Sequence, residues 1–355
     1  MVRLLALIAV LAGLAVAPAA GEEGEPGWQK GFVLWASPAE YGSPGTLRSL
    51  HRLHQTGATV VVPVVTWYVS DPSADDIHPG EDTPSDNELA TVIDAAHWAG
   101  LSVVLELHVN CEDGSWRGFI SPTNAEPWFA NYRYLVRHYA SFAAEHEVEG
   151  LIIGAELVQM TRPQHTKVWR SLIAEARERF PGFLTYGANW GSNAPEGQKD
   201  DLEEFTHVGF WPELDYIGIA AYFELGDARA LSHKELFQAW NGWRRREIGP
   251  LQAKYKMPVV FTEVGYRSTG SAGSRPWDYE SQDVSLETQT SLYEALFDYW
   301  RHVPWFEGVY LWYWSTDAEA GGPYDSDYVP QGKPSLDVIK DWFRRLPSAP
   351  LERGD

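Results

Sequence analysis

Eight apolar stretches, most of them rich in valine or aromatic residues and none with a polar face, alternate with helical stretches along nearly the whole chain. The strand-like segments run Gly31 to Ala36, Thr59 to Thr66, Leu101 to Val109, Leu151 to Leu157, Phe183 to Trp190, Asp215 to Tyr222, Pro258 to Tyr266 and Gly308 to Trp314. Helical stretches are read at Thr46 to Gln55, Asp86 to Trp98, Trp128 to His146, Lys167 to Phe180, Leu236 to Arg246, Leu286 to His302 and Leu336 to Leu346, with a short one near Leu202 to Thr206. A strand that is apolar on both faces must be covered on both faces, which is the situation of parallel strands crossed over by helices.

Eight such units predict an α/β fold closed into a (β/α)8 TIM barrel. A doubly wound open sheet needs about six strands and a glycine-rich first turn, and neither is present. The length of 355 residues suits one such barrel with insertions. No internal repeat or interdomain linker interrupts it, so one catalytic domain is expected over 30–346, with a linker at 21–29 and a tail at 347–355. Pro63, inside the second strand, predicts a bulge there, because proline cannot donate to a ladder.

Met1 to about Ala20 has the pattern of a secretory signal: Arg3, the apolar run Leu4 to Val16, and the small-residue site Ala17-Pro18-Ala19. The expected location is secreted or periplasmic, without stable membrane association once the signal is removed; an uncleaved anchor is the other reading. Cys111 is the only cysteine, so no intrachain disulfide can form. A net charge of −21 disfavours nucleic acid, whose binding rests on Lys and Arg neutralising phosphates. Neutral or cationic ligands remain, and 17 tryptophans exceed what a core requires, as in a cleft lined with indoles. The chain is expected to be a monomer.

In a barrel of this kind the chemistry sits at the C-terminal ends of the strands. Those ends carry Trp35, Thr66 and Trp67, Glu106, His108 and Asn110, Glu156, Asn189 and Trp190, Tyr222, Glu263, and Trp312 and Trp314. Glu106, His108 and Asn110 share one face by alternation, which is expected to point into the mouth. Glu156 and Glu263 end the fourth and seventh strands, nearly opposite each other. Glycosidic bonds are cleaved by two carboxyl groups flanking the leaving oxygen, and a close pair gives retention of configuration. Glu156 is assigned as acid/base, with its pKa raised by its anionic neighbour, and Glu263 as nucleophile, held ionised by Tyr222 and Asn189. Each glutamate taken alone could instead be a structural carboxylate.

Sugar rings pack on indoles, so Trp190, Trp314, Trp35 and Trp116 are candidate platforms, with packing in the core the alternative for each. Arg117 either braces a catalytic carboxylate or pairs within its loop, and His108 either touches sugar or stands behind the residues that do. No His-x-His or His-Glu-x-x-His pair is present, so no metal and no cofactor is expected. The acidic loop Asp317 to Asp327 matches no calcium loop and is read as solvated, with calcium as the alternative. A Gly-x-Ser-x-Gly elbow is absent, and Gly270 to Gly273 reads as a flexible loop.

The runs LIIGAEL, VVFTEVGY, LHVNCEDGSWRGFI, LTYGANW, LDYIGIAAYF and YLWYW resemble, in order, glycoside hydrolases of clan A, and most closely the endo-β-mannanase family 113. The likeness spans about Lys30 to Trp342. It implies a retaining mechanism with Glu156 as acid/base and Glu263 as nucleophile, and a sugar site built by His108, Asn189, Trp190, Tyr222 and Trp314. Two departures stand out. Ala155 replaces the Asn that most clan members place before the acid/base, and Glu106-Leu107-His108-Val109-Asn110 stands where the family tends to have Lys-Pro-His-Val-Asp. The expected function is retaining hydrolysis of a neutral β-linked polysaccharide or oligosaccharide, with β-mannan or glucomannan as the first substrate. A β-glucanase or other clan A specificity, or a non-catalytic carbohydrate-binding barrel, are the alternatives.

Overall fold

The computed structural model describes residues 27–191 and 203–351. The expected signal peptide, most of the linker, Leu202 of the expected short helix and residues 352–355 of the tail lie outside the described residues. Eight strands form the barrel: β1 (Gln29–Trp35), β2 (Val60–Val69), β3 (Ser102–Cys111), β4 (Gly150–Ala155), β5 (Phe183–Asn189), β6 (Ile217–Ala220), β7 (Val259–Val264) and β8 (Phe306–Ser315). Each pairs in parallel with the next, and β8 and β2 both pair with β1, so the sheet closes. A two-residue strand, His78–Pro79, adds to the outer end of β2.

Alternation along the strands divides the apolar residues into two cores. Val60, Val62 and Val64 of β2 join Val33, Val104, Ile152, Phe183, Val260 and Tyr310 inside the barrel. Val61 and Val65 face outward, into the larger layer beneath the helices. Nearly all of these side chains are fully buried, and each such side chain contributes roughly 1.5–3 kcal/mol of burial. Pro63 makes no bulge: pairing of β2 with β3 occurs at Val60 and Val61 and resumes at Val64 in the same register, so the missing donor falls in the gap.

The helices follow the expected order. Asp86–Trp98 starts at a capping box, with Ser85 N–H and hydroxyl both donating to Glu88 Oε2. The helix expected at Leu236 to Arg246 begins at His233 and runs on through a wide turn at Arg244–Ile248 into Gly249–Tyr255. Pro250 explains the wide turn, since it has no N–H to donate and its ring crowds the carbonyl of the preceding turn. No described helix is long and apolar enough to cross a membrane.

Near the mouth the alternation is broken. Ile152 and Ala155 of β4 pair with Thr185 and Gly187 of β5, so β4 carries one residue more than its partner. The same happens on β7, where Phe261 and Val264 face Val309 and Leu311, and on β8, where Leu311 and Trp314 face Phe32 and Leu34. Extra residues of this kind are common at barrel rims and re-aim the side chains beyond them.

Candidate active site

Counting alternately from Val260, which packs inside, Thr262 and Val264 would point inward and Glu263 outward. The extra residue on β7 reverses the order: Val264 belongs to the outer layer and Glu263 lines a cavity at the mouth. On β4, Glu156 follows the extra residue and itself adopts φ +53°, a conformation that costs a non-glycine residue about 1–3 kcal/mol. Its N–H donates to Gly187 O across 2.8 Å, and its carboxylate lines the same cavity.

The cavity holds about 660 Å³ and is walled by Trp116, Arg117, Phe119, Trp190, Tyr222, Trp277, Tyr279, Trp312 and Tyr328 around the two glutamates. Glu156 Oε1 accepts from Asn189 Nδ2 at 2.9 Å and Oε2 from Trp116 Nε1 at 3.3 Å. Glu263 Oε2 accepts from Tyr222 Oη at 3.0 Å, while its Oε1 has no hydrogen-bond partner among the described residues. Asn189 is itself held from below: its N–H donates to Glu204 Oε2 at 2.8 Å, and the other oxygen of Glu204 accepts from Tyr186 and Thr161.

The electrostatics differ from the expectation for Glu263. Burial first, and then the charge of Glu156, push its carboxyl up to about 8, against the opposing pull of Arg117 and Tyr222. Asn189 does not help to ionise it, because that amide is committed to Glu156. Tyr222 stays a donor, since burial and the neighbouring Glu263 raise its hydroxyl well above the usual range.

Of the residues expected to bind substrate, Trp116, Arg117, Trp190, Tyr222 and Trp312 line the cavity, and Asn189 meets it through Glu156. Trp35 lies beside them, 47% exposed, with its ring 5.7 Å from that of Trp312, so it extends the aromatic wall outward. Four residues are placed otherwise. Glu106 and His108 do turn inside, continuing the inward parity of Val104, but both are wholly buried beneath the cavity and do not line it. Asn110, two residues further on, is half-buried beside Tyr68 of β2 and also away from the cavity. Trp314 is a correction with a clear cause: the extra residue on β8 turns it outward, where it packs on Phe32 and its Nε1 donates to Ser49 Oγ at 2.9 Å.

Phe119, Trp277, Tyr279 and Tyr328 were missed by reading strand ends, because none of them ends a strand: Phe119 closes the short helical turn Arg117–Phe119 and the other three sit on loops. Trp277 and Tyr279 follow the Gly270 to Gly273 loop, and their rings meet Trp190 and Tyr328 at 5.5 and 5.6 Å. Only their type, aromatic residues clustered after the seventh strand, could have marked them. The acidic loop has other work: Asp325 pairs with Lys333 at 2.8 Å, and Lys333 also donates to the carbonyl of Asp327.

The model of Glycoside Hydrolase Family 113 matches residues 30–333. Among solved structures, a family 113 β-1,4-mannanase in a complex is 27% identical, with a TM-score of 0.76, covering 90% of this chain and 99% of that one. A family 113 β-mannanase from Alicyclobacillus acidocaldarius, in complex with ManMIm, is 28% identical with a TM-score of 0.77, covering 90% and 98%. A family 5 protein from Bifidobacterium longum, 15% identical with a TM-score of 0.60 over 91% and 80% of the two chains, shares the fold. No curated protein matches the chain.

Proposed function

Because this chain belongs to glycoside hydrolase family 113, we propose that it is a retaining β-mannanase, cleaving β-mannan or glucomannan by double displacement between Glu263 and Glu156. The observation that carries the reading is that both carboxyls line one cavity, where the charge of one governs the proton affinity of the other.

In the first step Glu263 Oε1 attacks the anomeric carbon while Glu156 transfers a proton to the leaving oxygen, giving a glycosyl ester on Glu263. Oε1 is the free oxygen, since Oε2 is held by Tyr222. In the second step Glu156 takes a proton from water, the water oxygen bonds to the anomeric carbon, and Glu263 leaves as carboxylate. The first step requires a proton on Glu156 and the charge on Glu263. Indole and phenol rings of Trp190, Trp277, Trp312 and Tyr279 supply faces for sugar C–H groups. Trp190 Nε1 and Arg117 Nη1, without partners among the described residues, supply donors for hydroxyls.

Mannan is preferred as substrate because the similar solved structures at 27% and 28% identity are β-mannanases. Incubation with mannan, glucomannan, xylan and mixed-linkage glucan, with reducing ends measured, tests the substrate. Turnover lost in Glu263→Ala and partly restored by azide, with an inverted product, is the expected result for the mechanism; full turnover in that variant would refute it. Secretion or periplasmic export, proposed on Met1 to Ala20, is tested by sequencing the N-terminus of the exported protein.

A further inference from the structure

We propose that Glu106, His108 and Glu263 form a latent site for a divalent transition metal of the zinc class, and that filling it removes the nucleophilic carboxylate from the reaction. The three residues come from opposite sides of the barrel, Glu106 and His108 from β3 and Glu263 from β7, so no linear metal motif announces them. One ligand atom from each lies within 4.8 Å of the others. His108 Nε2 is 3.4 Å from Glu106 Oε1 and 3.7 Å from Glu263 Oε1.

Those separations are long for hydrogen bonds. They do suit ligands sharing one ion, since two atoms bonded to a tetrahedral zinc at about 2.0–2.1 Å sit about 3.4 Å apart. Burial makes the point sharper. Glu106 and His108 are 0% exposed, and neither oxygen of Glu106, neither nitrogen of His108, nor Oε1 of Glu263 has a hydrogen-bond partner among the described residues. Buried polar atoms left open in this number call for a ligand.

Charge points the same way. Glu106, Glu156 and Glu263 act on one another, and Arg117 is the cation that acts on Glu106 and Glu263. Three carboxyls thus share the surroundings of one guanidinium, an excess of acidic groups that a divalent ion would balance. The His108 ring brings a nitrogen lone pair to the same point, as histidine does in metal sites. Tyr222 occupies Glu263 Oε2 and leaves Oε1 for the ion. A nitrogen and two carboxylate oxygens favour zinc or its neighbours over calcium or magnesium, which take oxygen ligands only. The ion would arrive through the cavity, where Glu263 is the one member of the trio that reaches the surface.

The binding half of the proposal is independent of the catalytic reading; the inhibitory half rests on Glu263 as nucleophile. Chelator-treated full-length protein is titrated with Zn²⁺, with bound metal measured by calorimetry and by elemental analysis after gel filtration, and with mannan turnover followed in parallel. The expected result is one tight zinc per chain and turnover that falls with zinc, recovers on EDTA, and is protected by substrate. Glu106→Gln, the same shape without the charge, should weaken the tight zinc by about tenfold or more, the scale on which even outer partners of a metal matter, and relieve inhibition equally. His108→Gln, checked for folding by circular dichroism, should do the same. Absence of tight zinc, or equal uptake by wild type and both variants, as surface pairs such as His78–Glu112 would give, overturns the site. Tight, Glu106-dependent zinc without inhibition of an active enzyme would count against Glu263 as nucleophile and leave the metal site standing.

Discussion

The side-chain amide of Asn189 donates to Glu156 Oε1 across 2.9 Å while its own backbone N–H rests on Glu204 Oε2, 2.8 Å below. One residue thus couples a buried carboxylate in the helix Glu204–His207 to the carboxylate assigned as acid/base. Asn189→Ala should lower kcat/KM by about tenfold to a hundredfold, since a hydrogen bond to a charged group is worth about 1.5–3 kcal/mol. Steady-state kinetics on a mannan oligosaccharide checks it; an unchanged kcat/KM would show that the bond has no part in turnover.

Tyr222→Phe removes the one hydrogen bond that reaches the Glu263 carboxylate among the described residues. A loss of kcat by about tenfold or more is expected, on the same scale for a charged acceptor, with the ring and its contact to Trp190 preserved. Thermal unfolding should move little, and a large drop in Tm with normal kcat would reverse the assignment.

Glu204 is a fully buried carboxyl, and burial raises it from 4.5 to about 7 in spite of donors from Thr161, Asn189 and Tyr186. The folded chain therefore binds this proton more tightly than the unfolded one. Its stabilising contribution is complete below about pH 4.5 and is lost as pH climbs through about 7, a change of about 3 kcal/mol at 1.36 kcal/mol per unit. Glu204→Gln should lack this slope, so the stability gap between variant and wild type in urea titrations changes by up to about 3 kcal/mol from pH 5 to pH 8. A gap that is constant with pH would mean the carboxyl keeps its ordinary affinity.

Trp277 and Trp314 offer a matched pair of indoles with opposite roles. Trp277→Ala opens the cavity wall and should raise KM for oligosaccharides by about fivefold to thirtyfold, the worth of about 1–2 kcal/mol of aromatic contact, with modest change in stability. Trp314→Ala should instead cost about 3–5 kcal/mol of stability, because that side chain is 2% exposed between Phe32 and the helix Pro44–His54. Ligand titration and denaturant unfolding of both variants separate the two.

What the amino-acid order determined by itself was everything that repeats locally: the eight apolar runs, their alternation with helices, the closed barrel they imply, and the arrival of Glu156 and Glu263 at the ends of the fourth and seventh strands. Those properties are written residue by residue, in a period of two or about 3.6, and need no partner strand to be read. The tertiary structure alone decided which way the rim residues face. One extra residue on β7 turns Glu263 in and one on β8 turns Trp314 out, and a register shift exists only between paired strands. It also decided that Glu106 and His108 lie sealed beneath the mouth, and that Trp277, Tyr279 and Tyr328, far apart from Trp116 in the chain, close one wall with it. Loops leave no periodic trace, so their aromatic side chains find their place only when the barrel beneath them has closed.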